Sequence, residues 1–323
     1  MRTLVFVLVF VCPPFLKGYV LRWFWGAKIG RHVRLGWFST LIGRHVEVGD
    51  YSEVRSLTII RCDGEVRIGP YSVISNFVLV YGSASLIMGN HSYIGPQCLI
   101  NADEDVRIGN GSSVGPRCMI FTHGSFLPYL EGYWVKFAGV TIGDNVWIAA
   151  GVFIRPGVAI GCNVFVNSSS VLTRNVPDGE VLEGFPAKRV TEMRKVKRSM
   201  TPKHIDAAAW HMLRHFAQVV LRRKMGIDVK DDIPNRLSFH YRRREYLVLS
   251  IPSDGPVPPI GDMDRHQRLI SLVNRPDWVP PSTVGNAMVF DLTTRRTRPS
   301  HDRVHTELWQ FMRRYFGVTF EYQ

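Results

Sequence analysis

The sequence predicts a mainly β protein in which a parallel β-helix is followed by a small α/β domain. Two observations carry this prediction. Aliphatic residues recur every six positions through residues 27–198, and from residue 199 onward that spacing gives way to helix-like and strand-like segments. With 46% hydrophobic and 21% charged residues, the 323-residue chain has the composition of a globular protein large enough for two domains.

The six-residue repeat is unbroken in residues 140–172. Ile142, Ile148 and Ile154 begin a row that continues at this spacing, and a row of valines runs two positions ahead of it. A period of six fits neither a helix nor a plain strand. It fits a short strand followed by a tight turn, with three such units closing one coil. Stacked coils then bury a continuous aliphatic core that no single coil could bury.

Residues 1–26 form a hydrophobic N-terminal segment. Its apolar run, residues 4–12, is ended by two prolines and is well short of the roughly 20 residues that a spanning helix needs. Two interpretations stay open: an anchor at a membrane surface, or a hydrophobic cap over the end of the fold. In the first, the cations expected to face anionic headgroups are Lys17, Arg22 and Lys28.

The formal net charge is +13, and its basic residues cluster near the start, in residues 188–198 and in the last third of the chain. Such surfaces favour anionic partners, including phosphorylated cofactors and acidic lipid headgroups. The five cysteines show no pairing or metal-binding pattern. We therefore expect reduced thiols in a cytoplasmic protein and no metal site built from them.

A 16-residue excursion interrupts the repeat between Ile120 and Ile142, and His123 stands at its start. His123 lies three residues after a core aliphatic, a slot that it shares with Asn145 and three other histidines, so its register does not single it out. Those histidines are His32, His45 and His91. Phe121 replaces the usual glycine of this turn, and long loops on rigid scaffolds usually carry function.

The segment "VTIGDNVWIAAGV…GFPAKRV", residues 140–190, resembles the end of the hexapeptide-repeat acyltransferases of the galactoside/maltose O-acetyltransferase and xenobiotic acetyltransferase group. The similarity covers residues 27–195, and the combination of Thr122–His123, the extruded loop and these motifs carries it. The resemblance implies a left-handed β-helix, a homotrimer with sites in the clefts between neighbouring β-helices, and acetyl-CoA as the co-substrate. It implies neither a metal nor a nucleic-acid partner.

The resemblance also assigns roles to single residues. His123 is the predicted general base, because the pKa of histidine lies near neutrality and a free imidazole can take a hydroxyl proton. His91 is the second candidate, and Asn101 and Asp103 belong to a stretch that binds or orients the acceptor. The predicted donor-binding residues are Trp147 as an aromatic wall, Ala150 and Ser168 along the pantetheine arm, and Thr173, Lys188 and Arg189 at the nucleotide end.

We therefore expect an acetyl-CoA-dependent O-acetyltransferase that acts on a saccharide hydroxyl in cell-surface polysaccharide biosynthesis. The alternative is an N-acetyltransferase of an amino sugar or a nucleotide-linked sugar, since the same histidine would serve both. We expect a cytoplasmic location with peripheral contact at the inner face of the membrane. A β-helical metal enzyme needs three converging histidines, and only His91 and His123 lie near the required coils; a non-catalytic scaffold is the remaining interpretation.

Residues 199–323 carry a different pattern. Helical spacing is expected in residues 205–226 and 301–317, with strands between them and a final strand near the end of the chain. The sequence predicts a small α/β domain that either selects the acceptor, docks on a partner, or packs as a cap.

Overall fold

The computed structural model describes residues 2–124, 127–260, 267–281 and 287–322. The chain divides into two compact units, Met1–Arg198 and Ser199–Gln323. Each unit is described by itself below.

The first unit is a three-sided parallel β-helix, as the hexapeptide repeat predicts, with the left-handed coil that the resemblance implies. Each turn of the coil gives one short strand to each of three sheets, so strands that are neighbours in a sheet come from successive turns. The first sheet has the order β1-β4-β7-β10-β13-β18-β21, the second β2-β5-β8-β11-β14-β19-β22-β24-β25, and the third β3-β6-β9-β12-β15-β20-β23. The strands are β1 (Lys28–Ile29), β2 (Arg34–Leu35), β3 (Thr40–Ile42), β4 (His45–Val48), β5 (Glu53–Val54), β6 (Ile59–Cys62), β7 (Glu65–Ile68), β8 (Val73–Ile74), β9 (Leu79–Gly82), β10 (Leu86–Met88), β11 (Tyr93–Ile94), β12 (Leu99–Asn101), β13 (Val106–Ile108), β14 (Ser113–Val114), β15 (Met119–Phe121), β16 (His123–Gly124), β17 (Lys136–Phe137), β18 (Val140–Ile142), β19 (Trp147–Ile148), β20 (Phe153–Ile154), β21 (Ala159–Ile160), β22 (Phe165–Val166), β23 (Val171–Leu172), β24 (Glu180–Gly184) and β25 (Ala187–Glu192).

The core of the coil consists of the aliphatic rows that the repeat predicts. Ile108 pairs with Ile142 on the next turn, and Ile142 pairs with Ile160, all three at most 3% exposed. Full burial of one such side chain is worth about 1.5–3 kcal/mol. Since each turn lies directly on the one before it, the turns stabilise one another in sequence.

Two of the three corners of the coil repeat a left-handed backbone position. At the first corner, between the first and second sheets, the residues with φ of 54–57° are His32, Tyr51, Tyr71, His91, Asn145 and Asn163. At the second corner, between the second and third sheets, those with φ of 53–60° are Phe38, Leu57, Phe77, Gln97, Arg117 and Ser169. The third corner, where the chain returns to the first sheet, has no such non-glycine residue in the described ranges, and the excursion leaves the coil there.

Other elements pack at both ends of the coil. At the start, α1 (Arg2–Val11) contacts β3, and α2 (Pro14–Trp25) contacts β1 and β2. Val9 and Leu21 on these helices are fully buried. At the far end, β25 folds back antiparallel on β24. Within the described ranges, no helix combines the length and hydropathy needed to cross a bilayer.

A buried lysine ties α1 and α2 to the coil. Lys17 is fully buried, and its Nζ donates to the carbonyl oxygens of Ser39 at 2.6 Å and Phe10 at 3.4 Å. Burial lowers the pKa of Lys17 to about 8. The expectation that Lys17 faces lipid headgroups is therefore wrong, because its ammonium group points into the protein.

The second unit is an α/β domain with a seven-stranded sheet in the order β26-β27-β28-β29-β30-β31-β32. The strands are β26 (Val229–Ile233), β27 (Arg236–Tyr241), β28 (Arg244–Ile251), β29 (Gln267–Val273), β30 (Met288–Asp291), β31 (Arg296–Thr297) and β32 (Glu321–Tyr322). The helix α4 (Pro202–Phe216), which continues as a π-helical stretch over Ala217–Lys224, packs on β28 and on α5 (Arg303–Phe316). Both helices predicted for residues 199–323 are confirmed. A short helix, α3 (Met193–Val196), lies near the end of the first unit.

Candidate active site

The excursion leaves the coil at the third corner, and His123 lies at its base. There β16 pairs antiparallel with β17, so two short strands close the neck of the loop. The His123 ring stacks on Phe137, with ring centroids 4.5 Å apart. The His123 side chain is 36% exposed. The imidazole is thus held by one ring and remains open to a ligand.

Polar residues of the neighbouring turn support His123. Asn101, only 3% exposed, donates from its amide to Asp103 Oδ2 at 2.9 Å. The buried Thr122 hydroxyl donates to Asn101 at 3.1 Å and accepts from the Glu104 backbone N–H at 3.0 Å. Asp103 Oδ2 lies 4.0 Å from His123 Nδ1. The network therefore sets a carboxylate on the Nδ1 side of the imidazole, opposite Nε2.

The burial of Asn101 favours one of its two predicted roles. Its amide is engaged with Asp103 and Thr122, and almost none of its surface is exposed. Asn101 is thus suited to orient Asp103 and cannot touch an acceptor without rearrangement. Asp103, whose side chain is 33% exposed, is the member of the pair that can reach a ligand.

The histidines grouped by register separate in the structure. His32 and His91 hold the left-handed position of the first corner, as Asn145 does, with φ of 54°, 55° and 55°. His45 and His123 instead follow strands of the third sheet. The register argument that placed all of them in one slot is therefore wrong. His91 stacks on Tyr71 with parallel rings at the first corner, away from the loop base.

Most predicted donor-binding residues lie along the second sheet and the second corner. Trp147 on β19 is 59% exposed, and its ring centroid lies 4.9 Å from that of Phe165. Ala150 and Ser168 are exposed at equivalent points of the second corner, one turn apart. Ser169 N–H donates to the Ala150 carbonyl at 2.8 Å and links these turns. An extended ligand could follow this corner from turn to turn.

The two predicted cations on β25 differ in availability. Lys188 is exposed, and no ion pair is described for it within the described ranges. Arg189 lies 3.9 Å from Glu180 and also pairs with Glu192. A hydrogen bond from Arg194 lowers the pKa of Glu192, so this carboxylate stays ionised and holds both guanidinium groups. Lys188 is therefore the freer cation for a phosphate.

The predicted donor-binding residues and the predicted base lie on different parts of the coil. His123 lies at the third corner, which is the vertex of the triangular coil opposite the second sheet, whereas Trp147 lies on that sheet and Lys188 at its edge. Thr173 follows β23 at the third corner and so separates from the other predicted donor residues. In the described ranges, no group of three or more His, Cys, Asp or Glu side chains could hold a metal ion.

Two contacts of this site were not predicted. Ser83 N–H donates to Asp103 Oδ1 at 3.3 Å; the 20-residue turn length that pairs Tyr81 with Asn101 would have aligned them. Phe137 stacks on His123 through an antiparallel pairing inside the excursion. No periodic signal marks Phe137, because the repeat is interrupted there.

Comparison with known proteins gives short matches. The galactoside O-acetyltransferase of Escherichia coli strain K12 is 41% identical over 54 residues, 17% of this chain and 27% of that protein. That of Lactococcus lactis subsp. lactis is 45% identical over 47 residues, 15% of this chain and 23% of that protein. The chain thus spans about a quarter of the length of these relatives.

Among solved structures, a maltose O-acetyltransferase from Clostridium difficile 630 is 18% identical and covers 59% of this chain and 83% of its own, with a TM-score of 0.36. A TM-score of this size carries no argument about function. No family model matches the chain. The short matches agree with the resemblance inferred from the sequence motifs, and the chain is similar to the hexapeptide-repeat acyltransferases of the galactoside O-acetyltransferase type.

Proposed function

We propose that the protein is an acetyl-CoA-dependent O-acetyltransferase whose acceptor is a saccharide hydroxyl. The observation that carries the proposal is the placement of His123 beside Asp103 at the base of the excursion. The sequence matches to galactoside O-acetyltransferases support it. Cell-surface polysaccharide biosynthesis is the process that we propose for this reaction.

The geometry suggests how the chain assists the transfer. His123 Nε2 takes the proton of the acceptor hydroxyl as the hydroxyl oxygen bonds to the thioester carbonyl carbon. Asp103, on the Nδ1 side, orients the ring and stabilises the imidazolium that forms. The C–S bond then breaks, and His123 returns the proton to the departing thiolate. Acetyl-CoA supplies the activated acetyl group as its thioester, so the chain needs no acyl-enzyme.

The donor-side residues fit a long ligand with phosphates at one end. The second corner offers Ala150 and Ser168 as exposed residues on successive turns. Trp147 gives a flat apolar wall on the adjacent sheet, and Lys188 gives a cation at the edge of that sheet. Apolar walls for the arm and cations for phosphate are the chemistry that coenzyme A requires.

We also propose that the site is completed in a homotrimer. Because His123 and Trp147 lie on opposite parts of the coil, a single chain cannot present both to one substrate pair. A cyclic trimer would place the second sheet of one chain against the third corner of the next, through a heterologous interface. Three equivalent sites would then lie between chains.

We place this reaction in the cytoplasm. The five cysteines, all described, are free thiols, as in proteins of reducing compartments. Acetylation of an amino sugar is the second candidate reaction, since His123 would also assist an amine.

A screen of acceptors tests the proposal. Purified full-length protein would be incubated with acetyl-CoA and a panel of saccharides, with release of free thiol as the readout. Matched amino sugars form the second arm. We expect turnover with a hydroxyl acceptor; transfer to amines alone would favour the N-acetyltransferase, and no release with either class would reject the proposal.

The base assignment is tested by paired variants. We expect His123→Ala to lower kcat by about 10² to 10⁴, the usual contribution of a positioned base. His91→Ala is the matched control, since His91 is a histidine of the same coil at a different corner, and it should keep wild-type turnover. The assignment fails if the effects are reversed or if His123→Ala stays near wild type.

A further inference from the structure

The helical cap of the coil presents an apolar outer face that the proposed acetyl-transfer site does not use. On α2, Phe15, Tyr19 and Trp23 recur every four residues and are 74%, 67% and 86% exposed. Residues four apart lie on one face of a helix. The opposite side carries Lys17 and Leu21, both fully buried. The coil thus accounts for the buried inner side of α2 and leaves the aromatic stripe of Phe15, Tyr19 and Trp23 largely exposed.

Neighbouring apolar side chains widen this stripe. They include Val7, Leu8 and Val11 on α1, Leu16 and Phe24 on α2, and Trp37 and Phe38 on the first turn, each at least 40% exposed. Phe10 contacts Phe38 with ring centroids 5.5 Å apart, which joins α1 to that turn. Contiguous exposed apolar patches on soluble proteins mark interaction sites.

Basic side chains border the same face. Arg22 lies over the Tyr19 ring at 5.9 Å and donates to the Ile29 carbonyl at 2.6 Å, so these two contacts hold its charge in place. Lys28 is exposed just after α2. A cleft of about 370 Å³, lined by Phe15, Tyr19, Arg22 and Arg31, opens between α2 and the first turn. Arg31 shares its charge with Asp50 at 3.3 Å, which leaves Arg22 and Lys28 as the main cations of this rim.

We propose that this face docks the protein on an anionic phospholipid surface. Phe15, Tyr19 and Trp23 would enter the boundary between headgroups and acyl chains, where aromatic side chains are enriched. Arg22 and Lys28 would meet the lipid phosphates. Two helices of 10 and 12 residues lie on a bilayer and do not cross it. The apolar stripe with its basic rim favours a lipid over a second copy, whose identical rim would repel.

Co-sedimentation with vesicles tests the proposal and does not depend on acetyl transfer. We expect the full-length protein to pellet with mixed phosphatidylcholine–phosphatidylglycerol vesicles, less with phosphatidylcholine alone, and less at high salt. The variant Phe15→Ser/Tyr19→Ser/Trp23→Ser should bind these vesicles at least about tenfold more weakly than the wild type. Tyr315→Ser, which changes a 51% exposed aromatic on α5, is the matched control and should bind as the wild type does.

A single charge variant keeps the test valid if the triple variant does not fold. Lys28→Gln alters an exposed side chain and should reduce binding to the anionic vesicles about fivefold. Undiminished binding by either variant, or no binding of the wild type to any vesicle, overturns the proposal. So does a fall in molar mass of the triple variant by light scattering, because the face would then join two copies. Retained acetyl transfer with vesicle binding lost supports it and leaves the proposed function intact.

Discussion

At the scale of single residues, the base of the excursion is a polar network built into an aliphatic coil. The Asn101 amide and the Thr122 hydroxyl are buried, and each has a described partner. Leaving such a group unpaired costs about 1–3 kcal/mol. The network therefore holds the Asp103 carboxylate in place, which is the preorganisation that its proposed role beside His123 requires.

Lys17 is a second residue whose burial has a measurable consequence. Its pKa is lowered to about 8, whereas the unfolded chain restores 10.5. Between these values the unfolded state binds a proton that the folded state does not, so stability rises with pH in this window. The penalty of charging Lys17 in the fold is fully present below pH 8.

We expect the difference in unfolding free energy between the wild type and Lys17→Met to shift by about 3 kcal/mol in favour of the wild type as the pH rises from 8 to 10.5. Urea unfolding of both proteins across this range measures the difference, and the methionine variant removes the contribution of every other titrating group. A difference that does not change with pH would show that Lys17 keeps its proton in the folded state.

At the scale of elements, the sheets of the coil could be predicted from the sequence, whereas the corner that each residue occupies could not. The repeat predicted the sheets and their core, because each hexad places one aliphatic inward. It could not predict which corner a residue occupies, since the turn length varies: Lys28 pairs with Glu47, 19 residues on, but Thr141 pairs with Ala159, 18 residues on. For the same reason the slot of His123 was misassigned, although the loop and the motif around it were recognised.

The second sheet and its edge give a prediction about the donor. We expect Lys188→Ala to raise the acetyl-CoA KM about tenfold with little change in kcat, because a charge-assisted contact to phosphate is worth about 1.5–3 kcal/mol. Arg189→Ala should change KM less, since Arg189 is held by Glu180 and Glu192.

Steady-state kinetics with acetyl-CoA as the varied substrate measures both effects. Lys195→Ala, an exposed lysine on α3, is the control for loss of positive charge alone. A fall in kcat without a rise in KM would place the nucleotide end of the donor elsewhere.

At the scale of the whole molecule, the separation of His123 from Trp147 means that the proposed site needs residues from two neighbouring chains. We expect a solution mass of three times 36.8 kDa. His123→Ala and Trp147→Ala are each expected to lower activity as pure trimers. A mixed trimer that contains both variants has one intact site in three, so it should recover about a third of wild-type activity, since a shared site draws its two halves from different chains.

Co-purified mixed trimers, separated by distinct affinity tags, provide the measurement. Simple mixing of the purified variants without exchange of chains is the control and should recover nothing. Activity of the mixed trimers equal to the mean of the pure variants would mean that each site lies within one chain.

The two covered ends of the coil have a consequence for how large this protein can become. Every interior turn pairs with the turns above and below it, but the first and last turns would each present bare strand edges, and a bare edge is a template for another chain. Here α1 and α2 pack on the strands of the first turn, and at the far end the returning β25 pairs with β24, the last parallel strand of the second sheet. The elements at the two ends thus limit the pairing of end strands with another chain, and they keep the repeating coil a discrete molecule that does not extend into a fibre.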